Sequence, residues 1–565
     1  MEGKLTHIHD KSRERKPSYK KAVGINSVED QEETVKFENG PNNSSHVIDV
    51  FTSLDVDNGS SLEKTNVENN PVKTFYIQDS PHAKGEGARR EKWSDFAESS
   101  SLHGLRNVFV RSSPYVRIFW LVLLLAFTAW VLYSMYSSIF KYFQYPIATV
   151  IRIRYPEEGM RFPAVSLCPM TSFTRTKIFM TDDDPQFESL GLDLPSCKAT
   201  AHVRKGRPCG EALLCCCSDH RAEDVSVALS NCTDDYKKEL QEIIRKDKKL
   251  FDDKKFQQAY GPSLWRMIIP GTCIFAALRN GGCSYKDFIP TMSDHGVCFT
   301  FNSGRDGKEA MNVSYGDTST GLSMILDLNL NDHLVGAFSE GIRIIVHDQG
   351  VYINPAKNVL VAPGSYAQIS VKRKEYTNKR SPYETKCTDS KKLKGFPKYD
   401  SDGCYYECIS NETARKCGCR LPNDPDRLIN ERICFRDDRP CIIDVFSEMV
   451  AGTLKCDCPL ACDVVSYETT TTTAAFPNPS LIKILQTRGY NRTDDYLRKN
   501  LINLQVAYTT NSYEVLKQKS QYDSGALMGE IGGNLGLFLG CSILTIIEFI
   551  DFAIYLYRTR NKKKF

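Results

Sequence analysis

The chain has 565 residues, 41% of them hydrophobic, and a formal net charge of +4. So small a charge on so long a chain gives no electrostatic reason to expect a nucleic-acid partner. The length leaves room for about four domain-sized units, and the unremarkable average hydrophobicity conceals two concentrated apolar runs.

Residues 1–95 are polar, poor in aromatics and rich in Asn, Ser, Asp and Glu. They bury too little to offset the entropy of ordering, so a disordered segment is expected. Residues 1–21 are charged and contain no apolar stretch, so no secretory signal is read there. A short pre-span segment, 96–114, carries SLHGLRNVF at 101–109. The first apolar run, 118–139, reads IFWLVLLLAFTAWVLYSMYSSI and holds no charge. It is long enough to cross a bilayer as a helix, and Trp120, Trp130, Tyr133 and Tyr136 supply interfacial anchors. A span is predicted over 115–140, serving as its own insertion signal. The second run, 531–557, is apolar but interrupted by glycines and two carboxylates, and a span is predicted over 526–557. Arg106, Arg111 and Arg117 precede the first run; Arg558, Arg560, Lys562, Lys563 and Lys564 follow the second. The positive-inside rule then places both ends, including the tail 558–565, in the cytoplasm.

The middle segment, 141–525, is therefore predicted to lie outside the cell, and cysteine usage agrees independently. Of 21 cysteines, Cys541 lies in the second run and the other 20 fall between Cys168 and Cys462. That split fits an oxidising compartment for the middle segment only, and the even number allows ten disulfides. Four glycosylation sequons lie in the same segment, at Asn231, Asn312, Asn411 and Asn491. IRIIVHD and YAQISVKRK alternate apolar and polar residues and read as strands. Residues 234–260 read as one charged amphipathic helix capped by Thr233. The adjacent Cys215, Cys216 and Cys217 are expected to avoid one another and to reach three separate partners, for which Cys197, Cys209 and Cys232 are available. Ten cysteines crowd into 387–462. Zinc is the rival reading there, but the stretch holds no histidine, and nested disulfides clamping a pair of helices fit better. No metal or cofactor is expected, and no nucleophile–base set of an enzyme is found.

The second run contains GEIGGNLGLFLGCSILTIIEFIDF from Gly529. Glycines at 529 and 533, and at 532, 536 and 540, have the small-xxx-small spacing that lets helix backbones approach closely. Plain helix packing is one reading of that spacing. The other is a passage, because Gly540-Cys541-Ser542 puts small residues deep in the span, where backbone carbonyls can line a cavity if the helix breaks. Glu548 and Asp551 lie three residues apart on one helical face. Carboxylates at such depth are costly, and copies around a symmetry axis would form cation-attracting rings; the other reading is that they sit at the cytoplasmic interface, above all Asp551, which is nearer the end of the run. Glu530, beside Gly529, is placed with the same pore and gate region.

Together these features resemble the degenerin/epithelial sodium channel superfamily, which includes the acid-sensing ion channels. The likeness rests on His103-Gly104, FPAVSLCP after the first run, GVCFTFN at 296–302, the ten-cysteine block and the G-x-S triplet Gly540-Cys541-Ser542, in order from residue 101 onward. It implies an α+β membrane protein with two transmembrane helices and a large disulfide-rich extracellular domain built of palm, thumb, finger, knuckle and β-ball. The finger would span about 180–270 and the thumb about 387–462. It implies a homotrimer in the plasma membrane, bathed in lipid, that conducts sodium ions and is blocked by amiloride. Gly540, Cys541 and Ser542 would form the selectivity filter, His103 and Gly104 a re-entrant loop below it, and Gly529 a gate position where bulky side chains favour opening. The implied disulfides are Cys387–Cys462, Cys404–Cys458, Cys408–Cys456, Cys417–Cys441, Cys419–Cys434, Cys168–Cys298 and Cys273–Cys283.

Within that superfamily, acid-sensing members carry adjacent histidines just after the first span, where this chain has Tyr145-Pro146-Ile147. Their tryptophan at the base of the thumb is Tyr383 here. The chain is most similar to the invertebrate FMRFamide-gated sodium channels, which implies a peptide ligand; proton gating and a non-conducting surface receptor are the alternatives. A cationic, aromatic peptide needs carboxylates beside an apolar surface. The acidic stretch containing Asp182, Asp183, Asp184, Phe187, Glu188 and Leu190 is the candidate ligand site; an ordinary acidic surface loop is the other reading of it.

Overall fold

In the computed structural model, residues 87–562 are described, apart from 111–112, 187–193, 218–231, 248, 277–281, 294–295, 306, 337–338 and 422–430. The seven-stranded sheet at its centre runs Ile147–Arg154, Tyr513–Ser520, Ser365–Thr377, Leu501–Tyr508, Leu322–Asp327, Ile274–Phe275, with Asp463–Ala475 laid against Ser365–Thr377. The strand beginning at Ile147 follows the first apolar helix directly, and the strand ending at Ser520 leads into the second apolar segment; the two pair antiparallel from Ile147↔Ser520 to Arg154↔Tyr513. A second sheet of five strands runs Val359–Val361, Ile342–His347, Ala164–Pro169, Gly296–Phe301, Phe288–Ser293. Both strands read from alternation are present, as Ile342–His347 and Ser365–Thr377.

Period-two alternation sets the core of the large sheet. Leu322, Met324 and Leu326 are fully buried while Ser323 and Ile325 between them are half-exposed, and Ile502, Leu504 and Val506 behave likewise around Asn503 and Gln505. The strand Ala164–Pro169 is buried at every position, as expected of a central strand covered on both faces. Between the sheets sit Phe162, Phe275 and Phe301, with ring centroids 5.0–6.3 Å apart. Each such buried side chain contributes roughly 2–3 kcal/mol relative to exposure.

The cysteine-rich stretch forms two helices, Ser401–Cys417 and Arg439–Val450. Disulfides Cys387–Cys462, Cys404–Cys458, Cys408–Cys456, Cys417–Cys441 and Cys419–Cys434 close it as a ladder. Cys168–Cys298 joins neighbouring strands of the small sheet, and Cys273–Cys283 closes a loop at the edge strand. Ten disulfides are present among the described residues, and Cys541 is the free thiol.

Three expectations are corrected. Cys216 and Cys217 bond to each other, while Cys197 pairs with Cys209 and Cys215 with Cys232. Helix Cys209–Cys216 ends there; Cys217 leaves it at φ −127°, ψ −14°, and Cys197 and Cys209 are drawn together by the packing of their own two helices. The helix expected over 234–260 is two helices, Asp234–Lys246 and Asp253–Tyr260. The interruption has a side-chain cause: the Asp247 carboxylate accepts from Lys249 N and Asp252 caps the second helix, so both aspartates favour a local turn over a helical one. Thr233 does cap the first helix, accepting from Tyr236 N. Finally, order begins before residue 95, because Gly87–Ser99 is a helix. Its polar start hides a tertiary anchor: Phe96 stacks on Phe552 at 4.1 Å, and Trp93 meets the same ring edge-on at 4.9 Å.

Candidate functional site: the broken helix and its brace

The first apolar run is a single helix, Pro114–Phe143, with proline at its first turn, where a missing N–H costs nothing. Its 30 residues rise about 45 Å, more than a hydrocarbon core requires. Among the described residues it is the one continuous helix long and apolar enough to cross a membrane. The second apolar run is broken. Helix Ser524–Asn534 passes into a π-helical turn, Leu535–Leu539, and helix Ile543–Lys562 follows. The two halves together meet the same test of length and apolarity, with a bend of 68° at the break.

The break falls on the predicted triplet. Gly540 adopts the left-handed conformation, φ 61°, ψ 20°, which glycine reaches without a Cβ penalty. Its N–H donates to Gly536 O at 3.0 Å, and Cys541 N reaches Leu535 O at 3.3 Å, which closes the upper half. Ser542 N donates to Thr545 Oγ1 at 3.0 Å and starts the lower half. A π turn followed by a left-handed residue re-aims the chain sharply, and the small residues keep side chains out of the corner.

The pre-span segment fills that corner from below. His103 N donates to Leu539 O at 3.0 Å. Gly104, at φ 86°, packs so closely on Trp120 that a Cβ there would sit 3.2 Å from the indole. Ser101 binds the lower half twice: its hydroxyl lies 2.5 Å from Thr545 Oγ1, and both its N–H and hydroxyl donate to Glu548 Oε2 at 3.2 Å. Glu548 is thus engaged within the chain, whereas Asp551 is exposed and has no polar partner among the described residues. Nothing in the local sequence marks Ser101, Thr545 or the aromatic anchor Trp93/Phe96; in this segment only His103 and Gly104 were singled out, through the family resemblance.

Above the break, the helices meet through Asn534 Nδ2 donating to Ser134 Oγ at 2.7 Å and through Phe538, whose ring approaches Phe127 and Trp130. Glu530 accepts the Tyr522 hydroxyl, and Lys141 at the top of the first helix lies 4.7 Å over the Tyr522 ring. Gly529, Gly532, Gly533 and Gly536 face open space, for a Cβ on any of them would meet nothing of this chain within 4 Å. Where the first helix meets the sheet, Tyr145 and Tyr383 touch edge to face at 5.6 Å.

The acidic ligand stretch fares differently. Phe187, Glu188 and Leu190 lie outside the described residues. Asp182 is committed internally: Arg204, almost wholly buried, grips both its oxygens at 3.2 and 2.6 Å. Asp183 is exposed, and Asp184 closes a turn by accepting from Gln186 N. Nearby, the helix Asp234–Lys246 is tied to the cysteine-clamped pair by Lys237–Asp437 at 2.5 Å, with Gln241 donating to the same carboxylate. Those partners are 200 residues apart, so no local pattern could signal them. A cavity of about 320 Å³ on the outer face of the large sheet was also not read from the sequence; its lining is uncharged and includes Ser323, Asn478, Asn503 and Phe476. Of the sequons, Asn312, Asn411 and Asn491 are exposed, and Asn231 lies outside the described residues. No cluster able to hold a metal ion occurs among the described residues.

Comparison with known proteins gives this geometry its family. The chain is similar to the human bile acid-sensitive ion channel, 26% identical over 468 residues that cover 81% of this chain and 85% of the relative. Human acid-sensing ion channel 2 is 25% identical over 486 residues, 83% of this chain and 86% of its own. Acid-sensing ion channel 4-B of Danio rerio is 27% identical over 499 residues, 85% and 79% respectively. The pattern of the amiloride-sensitive sodium channel family matches residues 96–552, from within the helix Gly87–Ser99 to the middle of the helix Ile543–Lys562. The chain therefore belongs to the amiloride-sensitive sodium channel family, within the degenerin/epithelial sodium channel superfamily, and is an ion channel rather than an enzyme.

Proposed function

We propose that the chain is one subunit of a homotrimeric, amiloride-blocked sodium channel of the plasma membrane, opened by an FMRFamide-type peptide. Its two spans are Pro114–Phe143 and the bent pair ending in Ile543–Lys562, with both termini cytoplasmic and the glycosylated middle segment outside. The sheets correspond to palm and β-ball, the clamped helix pair to the thumb, the helical insert Pro195–Tyr260 to the finger, and the helices Pro479–Thr487 and Asp494–Asn500 to the knuckle.

The observation that carries the reading is the braced break at Gly540: a bent apolar helix whose corner of small residues is braced by His103 and Ser101. Such a corner offers backbone carbonyls to a dehydrated cation, and Asp551 adds a carboxylate on the same lower helix. The unfilled glycine face at 529, 532, 533 and 536 supports assembly, since it is shaped to receive another copy of the helix.

Peptide gating is favoured over proton gating by two features. The position after the first span is Tyr145-Pro146-Ile147 rather than a histidine pair. Where the insert meets the turn Arg436–Asp438 ahead of the second clamped helix, the charged contact is the cation–anion pair Lys237–Asp437, and such a pair keeps its carboxylate ionised instead of sharing a proton with a facing carboxylate. The names of the relatives make acid and bile acids the rival stimuli. The test is voltage clamp of cells expressing the chain, with an Arg-Phe-amide tetrapeptide at constant neutral pH, a pH step without peptide, and a bile acid, each with and without amiloride. Sodium current evoked by peptide alone is expected. Robust acid current with no peptide response would reverse the ranking, and silence under all three would favour a non-conducting receptor.

A further inference from the structure

The cavity on the outer face of the large sheet, about 320 Å³, belongs to none of the parts given a role above. Its floor is the polar side of the alternation that buries Leu322, Met324, Ile502 and Leu504 on the other face. Register sets that floor: Ser323 lies opposite Gln505, and Asn503 opposite Tyr366. Ala474, opposite Tyr366 on its other side, and Ala475 carry the floor to the rim. The chain leaves the strand Asp463–Ala475 through Phe476 and Asn478, and Leu481 of the helix Pro479–Thr487 completes the wall. Phe476 is buried, and Tyr366 and Leu481 pack against the same apolar cluster, so the wall is held by the core beneath the helix.

The polar groups of the lining divide into spent and unspent. Gln505 is spent: its Oε1 accepts from the Tyr366 hydroxyl, and its Nε2 donates to Thr318 O at 3.0 Å. The Asn478 Oδ1 is spent on Leu481 N at 2.8 Å, as the helix cap. Asn503 keeps both ends of its amide, and Ser323 its hydroxyl, without a protein partner among the described residues. The lining carries no charged side chain. Arg498 reaches the backbone of the rim, where its guanidinium donates to Pro477 O at 3.2 Å.

We infer that the cavity is a binding site for a neutral molecule carrying a primary carboxamide on an apolar or aromatic body, and that Asn503 is the residue that reads the amide. Water can satisfy Asn503 and Ser323, so a ligand displaces it only by reproducing their hydrogen bonds. An ion is disfavoured, because the lining offers a carboxylate no cation and an ammonium no anion. Among neutral groups, amide geometry selects. In a trans secondary amide the N–H and C=O point in opposite directions, so only one of them can face Asn503. A primary carboxamide has an N–H beside its C=O, and can donate to Asn503 Oδ1 while accepting from Nδ2. Phe476, Leu481 and the Tyr366 ring then cover the apolar part. The volume is near the lower bound of small-molecule sites, about 300 Å³, so the part of the ligand that enters is small. A free amide and the amidated end of a peptide present this same chemistry.

Thiol protection on the full-length protein in detergent at neutral pH tests this. Ala474→Cys puts a thiol on the exposed rim and leaves Asn503 and Ser323 in place. Its alkylation by N-ethylmaleimide, read at position 474 by peptide mass spectrometry, should slow as hydrocinnamamide is added. N-methylhydrocinnamamide should need a concentration about fivefold higher for the same protection, the loss of one hydrogen bond. Hydrocinnamate and N-acetylglucosamine should not protect. Adding Asn503→Leu should remove the advantage of the primary amide over its N-methyl analogue. Asn503→Asp, isosteric but acceptor-only, must also remove it should the leucine variant fail to fold. No protection by hydrocinnamamide, equal protection by the two amides, protection by the carboxylate or the sugar, or an advantage that survives the change at Asn503 overturns the inference. An Arg-Phe-amide tetrapeptide separates the two sources: protection by it as well admits an amidated chain end, and protection by hydrocinnamamide alone assigns the site to a small free amide. No current is read, so the result stands whatever opens the channel.

Discussion

His103 occupies the space that a side chain at position 540 would need: a Cβ built on Gly540 would fall 1.1 Å from the His103 Nδ1. The pre-span segment and the break in the second apolar helix are therefore one structural unit, although 437 positions separate the two residues (540 − 103). Glycine is required at 540 for two independent reasons, its left-handed backbone and the imidazole against it.

Gly540→Ala should accordingly reduce current at least tenfold at normal surface expression. The backbone term alone is about 1 kcal/mol, and the steric term is larger. His103→Ala in the same chain removes the obstruction but not the backbone cost, so the double variant should recover part of the lost current. Equal current from wild type and Gly540→Ala would show that the corner does not control conduction.

Ser542 is exposed at the corner, with its N–H spent on Thr545 Oγ1. A larger side chain there leaves that bond intact and would fill the proposed passage. Ser542→Phe should abolish current or change the sodium/potassium permeability ratio, measured from reversal potentials. An unchanged ratio in well-expressed channels removes 540–542 from the filter.

Gly529 has open space around it within its own chain. A bulky side chain should leave the subunit fold intact and act only where copies of the helix meet, favouring the open arrangement. Gly529→Phe is expected to give standing, amiloride-blocked current without ligand; a channel closed at rest that opens normally argues against a gate at this position.

Non-reducing peptide mapping of surface protein should find Cys387 with Cys462, and Cys216 with Cys217 in one peptide free of any third cysteine. Removing the pair by Cys387→Ala/Cys462→Ala should cost about 2–4 kcal/mol, read as a lower melting temperature, because it frees a 75-residue loop in the unfolded chain. Free thiols at 387 and 462 in native protein, or Cys216 joined to Cys232, contradict the ladder and the adjacent pair respectively.

His347 lies on the face of the small sheet turned away from the large one, beside Ser166. Its Nδ1–H donates to the Asp348 carbonyl at 2.8 Å, which leaves Nε2 to accept from Ser166 Oγ at 2.8 Å. Burial holds its pKa down to about 4, with the Arg305 charge acting in the same direction. The free side chain titrates near 6.5, so between pH 6.5 and 4 the unfolded chain takes up a proton that the folded one refuses. Stability is lost as pH falls through that window, by about 3 kcal/mol over its full extent, and is unaffected above it. The melting temperature of His347→Gln should fall less steeply than that of the wild type between those pH values. Parallel slopes would place the acid sensitivity elsewhere.

What the sequence determined by itself was whatever depends on neighbours in the chain. An uncharged run long enough to cross a bilayer, strands with period-two alternation, a capping threonine at 233 and small residues at 540–542 are all local patterns. The confinement of 20 cysteines to one segment belongs with them, because compartment acts on composition. Tertiary structure decided what depends on which segments meet. It ordered Gly87–Ser99 through Trp93 and Phe96, whose ring partner Phe552 lies more than 450 residues away. Glu548 was turned from a bare carboxylate into an acceptor for Ser101, and Asp182 was spent on a buried arginine. The six insert cysteines were also paired by tertiary structure: with Cys197 bonded to Cys209 and Cys215 to Cys232, Cys216 had only its neighbour left among them. A steric rule applied to three adjacent residues could not anticipate that, because the partners available to each sulfur are set by contacts distant in sequence.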